Sequence, residues 1–334
     1  MGQSCSISLG SSGAKDGGVF RSDDHGVTWQ QKNFVRVSKK TTVSLNDATG
    51  RVLIFNPNDH QQLYLGTLAN GIWTTTDAGE HWQSTSLRSG GYECLVFDPL
   101  NPKIMYTAAG QNVLKSVDSG LTWTAVYTES QPGHAMTCVT VNPTDGREIW
   151  ATTNGGKILM SDDYGKRWTL MQTLTPFIPR RLYIPTDAPG QLYIITRTTG
   201  VWRGDSHGQS WTDISSPLST FAGGNDIRQI DIQRNGWYLA TAFGLLRSTD
   251  RGGHWASTPT LVTNGSVALQ NVAVNPNNSL EIFITTDQRL HHTTNGGTSW
   301  SVTTLPTGRL PVLLTFDPSQ TDRLYFTTYK QPKK

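Results

Sequence analysis

Seven residues of this 334-residue chain stand five positions ahead of a turn and at the head of an apolar stretch: Arg51, Glu93, Thr137, Arg180, Arg228, Gln270 and Val312. If those stretches are equivalent, three arginines converge on one ring, with Arg181 beside the second of them. Arginines so placed bind a carboxylate or phosphate through bidentate forks. Glu93 is the one glutamate on the ring. Glycoside hydrolysis takes two carboxyl groups roughly 5–10 Å apart, and the other candidates, Asp287 and Tyr329, fall in loops whose distance from Glu93 cannot be read from sequence. Arg197, Arg203 and Arg247 complete an arginine-rich middle of the chain, suited to an acidic partner surface or an anionic ligand.

Other chemistries find less support. The eight histidines are dispersed, and the adjacent pair His291–His292 would point to opposite faces of a strand, so no metal site is expected. Asp23–Asp24 lacks the further oxygen ligands of a calcium loop, which leaves a turn-capping role. No phosphate-binding or dinucleotide glycine motif and no nucleophile elbow occurs, so no cofactor is expected. Cys94 and Cys138 occupy matching positions of consecutive repeats, as two buried thiols or as a disulfide between them.

The elements that must position these residues are repeats. An eight-residue box, hydroxyl-x-Asp-x-Gly-x-x-Trp, opens at Ser22 and returns at Thr75, Ser116, Ser161, Gly204, Ser248 and Thr293. Its carboxylates are Asp24, Asp77, Asp118, Asp163 and Asp250, with Ser206 and Asn295 standing in at the fifth and seventh copies. Its indoles are Trp29, Trp82, Trp123, Trp168, Trp211, Trp255 and Trp300. Hydroxyl and carboxylate cap their own turn, glycine takes the positive φ, and the tryptophan is expected to bury its ring between neighbouring sheets. Successive tryptophans are 53, 41, 45, 43, 44 and 45 residues apart, the length of a four-stranded propeller blade.

Each unit reads as strand A, an Asp-Pro or Asn-Pro turn, strand B, a loop, strand C, the box and strand D, as in Tyr92–Val126. B strands centre on Tyr64, Tyr106, Trp150, Tyr193, Tyr238, Phe283 and Tyr325. The first box lacks A and B strands before it, and the chain ends on an A and a B with no box. The sequence therefore predicts an all-β, seven-bladed propeller over 18–329, closed by pairing Leu313–Thr328 with Val19–Gln31. Residues 1–17 read as a Ser/Gly-rich tether and 330–334 as a basic tail. The long first spacing marks an insertion over 36–50. The tether offers Cys5 as a lipid attachment, either in an N-myristoylation pattern or as the mature end of a bacterial lipoprotein. A net charge of +3 and no apolar run near 18 residues give no case for nucleic acid or a membrane-spanning helix.

With seven boxes in place, the chain resembles the Asp-box, or bacterial neuraminidase repeat, propellers. Units of the form VFDPLNP…YTA…KSVDSGLTW look most like the photosystem II stability/assembly factor-like proteins, and are also similar to sortilin, sialidases and xyloglucan hydrolases. The resemblance to the assembly factors implies a monomeric, non-enzymatic scaffold, tethered outside the cytoplasm, that binds a protein partner or assembly intermediate through Arg51, Glu93, Arg180, Arg181, Arg197 and Arg228. The alternative is a glycan-binding or sialidase-like or other glycosidase propeller. A sialidase would add a tyrosine nucleophile and an acidic proton donor to its three arginines, and this sequence does not show them. A xyloglucan hydrolase sets its acids in a cleft between two propellers, and this sequence carries one.

Overall fold

Short runs rich in apolar and β-branched residues are punctuated by Asn-Pro, Asp-Pro and Gly turns, so the chain folds into antiparallel strands of two to nine residues, with the B strands buried along most of their length. The computed structural model describes residues 16–35, 45–174, 178–196 and 198–329. Cys5, Arg197, most of the tether and of the 36–50 insertion, and the basic tail lie outside the described residues. Twenty-eight strands make seven four-stranded antiparallel sheets, each ordered A-B-C-D along the chain except the first. The innermost strands are Gly50–Asn56, Leu95–Phe97, Met136–Asn142, Pro179–Tyr183, Ile227–Gln233, Asn271–Asn275 and Leu310–Phe316. Blade 1 is shared by the two ends of the chain: Val19 pairs with Thr327, and the register runs through to Ser22 with Leu324. Phe20 and Phe326 stack across that seam at 4.6 Å. Blades 2 to 7 follow in sequence order.

The boxes turn from strand C to strand D, on the face opposite the start of strand A. In the third copy Ser116 Oγ donates to Asp118 Oδ1 and accepts from Gly120 N at 2.8 Å, while Asp118 accepts from Thr122 N at 2.9 Å. The other copies repeat this pattern with one exception. In the fifth, Ser206 does not take over the carboxylate's role. Asp205, one residue earlier, accepts from His207 N, Gln209 N and Ser210 N through its two carboxylate oxygens. A second residue joins glycine in the left-handed region. All five non-glycine residues with positive φ among those described, His25, Ala78, Ser119, Tyr164 and Arg251, precede a box glycine.

Contact between blades is shared between box tryptophans and B-strand aromatics: the Trp168 ring lies 5.7 Å from that of Tyr127 in blade 3, and Trp300 donates to Pro259 on the blade 6 side at 2.9 Å. Five of the seven tryptophans fold their N–H back to the glycine carbonyl of their own box and stay half-buried, as Trp123 does to Gly120 at 2.9 Å. Trp82 instead is fully buried and donates to Lys32 of blade 1. The other bridge is the B-strand aromatic. Tyr64, Tyr106 and Tyr325, each fully buried, donate their hydroxyls to Ser119, Tyr164 and Ala78, the left-handed residue in the box of the next blade. The box glycines leave room for this: a Cβ on Gly120 would sit 3.1 Å from the Tyr64 ring, and one on Gly208 would strike Trp150. Cys94 and Cys138 are buried free thiols. Cys94 Sγ bonds both backbone groups of Val139, and Cys138 Sγ accepts from Leu182 N, so the sulfurs join the inner strands of blades 3, 4 and 5 without a covalent link.

Candidate functional site

The ring position inferred from the A strands has a backbone cause. In five blades the A–B register skips one A residue: Arg51 between Gly50 and Val52, and likewise Thr137, Arg180, Arg228 and Val312. Each is a β-bulge, which leaves a residue out of the ladder and re-aims its side chain. In the other two blades Glu93 and Gln270 lie just ahead of the A strand. The bulges therefore crowd side chains from successive blades at the mouth of the central channel.

Two cavities open there and share Arg51, Glu93 and Arg180. The smaller, about 290 Å³, sits over the channel and is lined also by Arg181, Arg228 and Gln270. The larger, about 750 Å³, runs outward over blades 3 to 5 past Gly110, Thr137, Asn154 and Thr199. Glu93 Oε2 accepts from Arg180 Nη2 at 3.1 Å, and Glu93 Oε1 lies 3.9 Å from Arg51 Nε. Arg228 pairs with Asp226 at 2.8 Å. Among the described residues Arg181 donates to the Ile230 carbonyl, at 3.4 Å. Thr137 is held by a hydroxyl contact with Thr152 at 2.8 Å.

Behind this mouth lies a group that the sequence reading missed. Asp231, on the A strand of blade 6, accepts from Val274 N of blade 7 at 2.7 Å and from Gln233 Nε2. Burial pushes its carboxyl up to about 6, against the lowering pull of those bonds and of Arg181. Beside it, Gln229 donates to Val272 and Leu314 and accepts from Asn271, tying blades 6, 7 and 1 together. The signal available was a carboxylate set between Ile230 and Ile232 on an A strand.

The remaining candidates are elsewhere. Asp287 lines a separate cavity of about 540 Å³ in blade 7 with His291 and Val302, and does not share a cavity with Glu93. Tyr329 lines neither of the mouth cavities. The arginine-rich middle divides: Arg247 packs over the Tyr238 ring, 5.4 Å from its centroid, on strand C, away from Arg180, Arg181 and Arg228. Asp24 caps its box, while Asp23 pairs with Arg21 and Arg323. Among the described residues no group of three His, Cys, Asp or Glu side chains converges as metal ligands.

Comparison with known proteins bears on the chemistry. No protein-family model matches the chain. A xyloglucanase of Paenibacillus sp. is 28% identical over 266 residues, covering 72% of this chain and 23% of that protein. A xyloglucanase of Hypocrea jecorina is 27% identical over 297 residues, covering 80% and 33%. The chain thus spans a quarter to a third of the length of these curated relatives. Among solved structures, a GH74 xyloglucanase from Xanthomonas campestris superposes with a TM-score of 0.62 at 18% identity, over 85% of this chain and 51% of that one. YCF48 from Cyanidioschyzon merolae gives 0.64 at 14%, over 84% and 96%. YCF48 has also been solved bound to D1 peptide, with a TM-score of 0.61 at 13% identity, over 86% and 94%. At these identities the structures establish the propeller alone. The sequence relatives correct the expectation of a non-enzymatic scaffold. They are named as xyloglucanases and match over most of this propeller, which favours the glycosidase alternative. Carrying one propeller was no reason to set that alternative aside, because each relative matches over only part of its own length.

Proposed function

We propose that this propeller is part of a glycoside hydrolase acting on xyloglucan-type polysaccharide, with the loop face as one wall of the substrate cleft. The observation that carries the reading is the 28% identity to a xyloglucanase over 266 residues. The geometry supports it: the 750 Å³ cavity is open to solvent and combines hydroxyl, amide and glycine backbone groups that suit sugar hydroxyls with apolar side chains such as Met136 and Ile178 that suit the faces of sugar rings. Glu93 supplies one carboxyl at the inner end of that cleft. Among the described residues neither mouth cavity holds a second carboxyl, so the acid–base pair is completed from a wall facing this one. We also assign the seven boxes to the Asp-box repeat, on the shared hydroxyl–carboxylate–glycine bonding and the indole that returns to it.

Two measurements test the reading. In a native gel cast with xyloglucan the wild-type chain is expected to migrate more slowly than in a gel without it. Within the natural full-length protein, reducing ends are expected to be released from xyloglucan, and Glu93→Gln is expected to cut that rate by about 10²-fold or more. Unretarded migration together with no release of reducing ends would sink the proposal.

A further inference from the structure

Resting on that glycan reading, we infer that the saccharide bound at this face carries a carboxylate, a uronic acid residue seated in the 290 Å³ mouth while the neutral part of the chain lies in the adjoining cleft. A neutral sugar needs no concentrated charge, yet Arg51, Arg180, Arg181 and Arg228 all line this small cavity with Glu93 as its only acid. Asp226, outside the cavity lining, pairs with Arg228, and Glu93 cannot satisfy the other three. Glu93 meets Arg180 at hydrogen-bond distance but stands 3.9 Å from Arg51, whose buried Nε has no hydrogen-bond partner among the described residues. Arg181 holds one long bond to a carbonyl, which leaves most of its donor fork unused. Guanidinia brought together in a confined mouth repel one another, and here three of the four, Arg51, Arg180 and Arg228, are bulge residues turned out of the ladder. An anion with two oxygens in a plane relieves that repulsion and fits the fork geometry.

Carboxylate and phosphate share this chemistry. The continuity of the mouth with a saccharide-sized cleft through Arg51, Glu93 and Arg180 favours the group that a plant polysaccharide carries on its own sugars. The volume is at the low end for ligand pockets and admits a single sugar ring.

Calorimetric titration of the wild-type chain decides the matter. The probes are a neutral xyloglucan heptasaccharide, a glucuronate-bearing xylo-oligosaccharide with its neutral counterpart, trigalacturonate, and inorganic phosphate. The uronate-bearing oligosaccharide is expected to bind about tenfold more tightly than its neutral counterpart at low salt, with the preference shrinking as salt is raised. The double variant Arg181→Gln/Arg228→Gln, shown by its melting curve to be folded, is expected to lose the preference. Equal binding of acidic and neutral oligosaccharides, a preference that survives the double variant, or phosphate binding tighter than any uronate overturns the inference. Binding of the neutral heptasaccharide alone leaves the hydrolase reading standing without it. Failure of every saccharide overturns both.

Discussion

The carboxylate of Asp163 shows what the box acids do one by one. The guanidinium of Arg167, its backbone N–H and the Ser161 hydroxyl hold the Asp163 carboxyl down to about 2. Asp231 is the opposite case, a carboxyl enclosed at the channel wall and raised to about 6 chiefly by burial. The sign of its effect follows from linkage. Between about pH 4, where an unfolded aspartate releases its proton, and about pH 6, the folded chain still binds that proton. Its contribution is therefore fully present below about 4 and is lost as pH rises through about 6. Asp231→Asn, which does not titrate, is expected to remove this decline. Measured by urea denaturation across pH 4 to 7, the variant should gain on the wild type as pH rises, by about 3 kcal/mol at most. A difference that stays constant over that range would show that Asp231 is ordinary.

At the scale of the element, three blades reach the next through a tyrosine hydroxyl on strand B that donates to a carbonyl in the following box. The residue giving that carbonyl is in the left-handed region, which turns its C=O toward the neighbouring sheet. Tyr64 makes the shorter bond, 2.8 Å to Ser119, and Tyr106 the longer, 3.3 Å to Tyr164. Tyr64→Phe is expected to cost about 1 kcal/mol, since it removes the donor to a half-buried carbonyl, and Tyr106→Phe less, since Lys115 also donates to the Tyr164 carbonyl. Thermal melting of the two variants checks this, and an order reversed from that of the bond lengths would contradict it. The sequence showed an aromatic at the centre of every B strand. It did not show that these rings share the interblade contact with the tryptophans of the box, of which Trp82, Trp168 and Trp300 reach the neighbouring blade. An indole three residues past the glycine can either cross to the next sheet or fold back on its own turn, and local spacing is the same in both cases.

At the scale of the whole molecule the seam in blade 1 governs stability. Val19–Ser22 has a partner on its inner side only because Leu324–Tyr329 returns to it, and Arg21 is buried there between Asp23, Glu80 and the Ala78 carbonyl of blade 2. A chain ending at Pro311 loses strand B and most of strand A of that blade and exposes Phe20 and its neighbours. Its cooperative melting transition is expected to disappear, as followed by circular dichroism at the tryptophan band. A transition unchanged in midpoint would mean that the ring does not depend on closure. This follows from repeat physics, in which no blade buries both of its faces alone.

Sequence by itself determined the count of blades, the place of the seam, the strand boundaries to within a residue or two and the ring on which Arg51, Glu93, Arg180, Arg228 and Gln270 stand. All of these follow from local periodicity: turn residues, alternation and a box repeated often enough to set the register. Tertiary structure alone decided the rest. It separated Asp287 from Glu93, divided the arginines between the channel mouth and strand C, set Asp205 in the place of Ser206, and raised Asp231. Those outcomes depend on which side chains from different blades meet across the channel and how much water is left between them, and no spacing along one strand encodes that. The bulges join the two levels, because a residue left out of the ladder looks ordinary in sequence and acquires its direction only when strand B pairs around it.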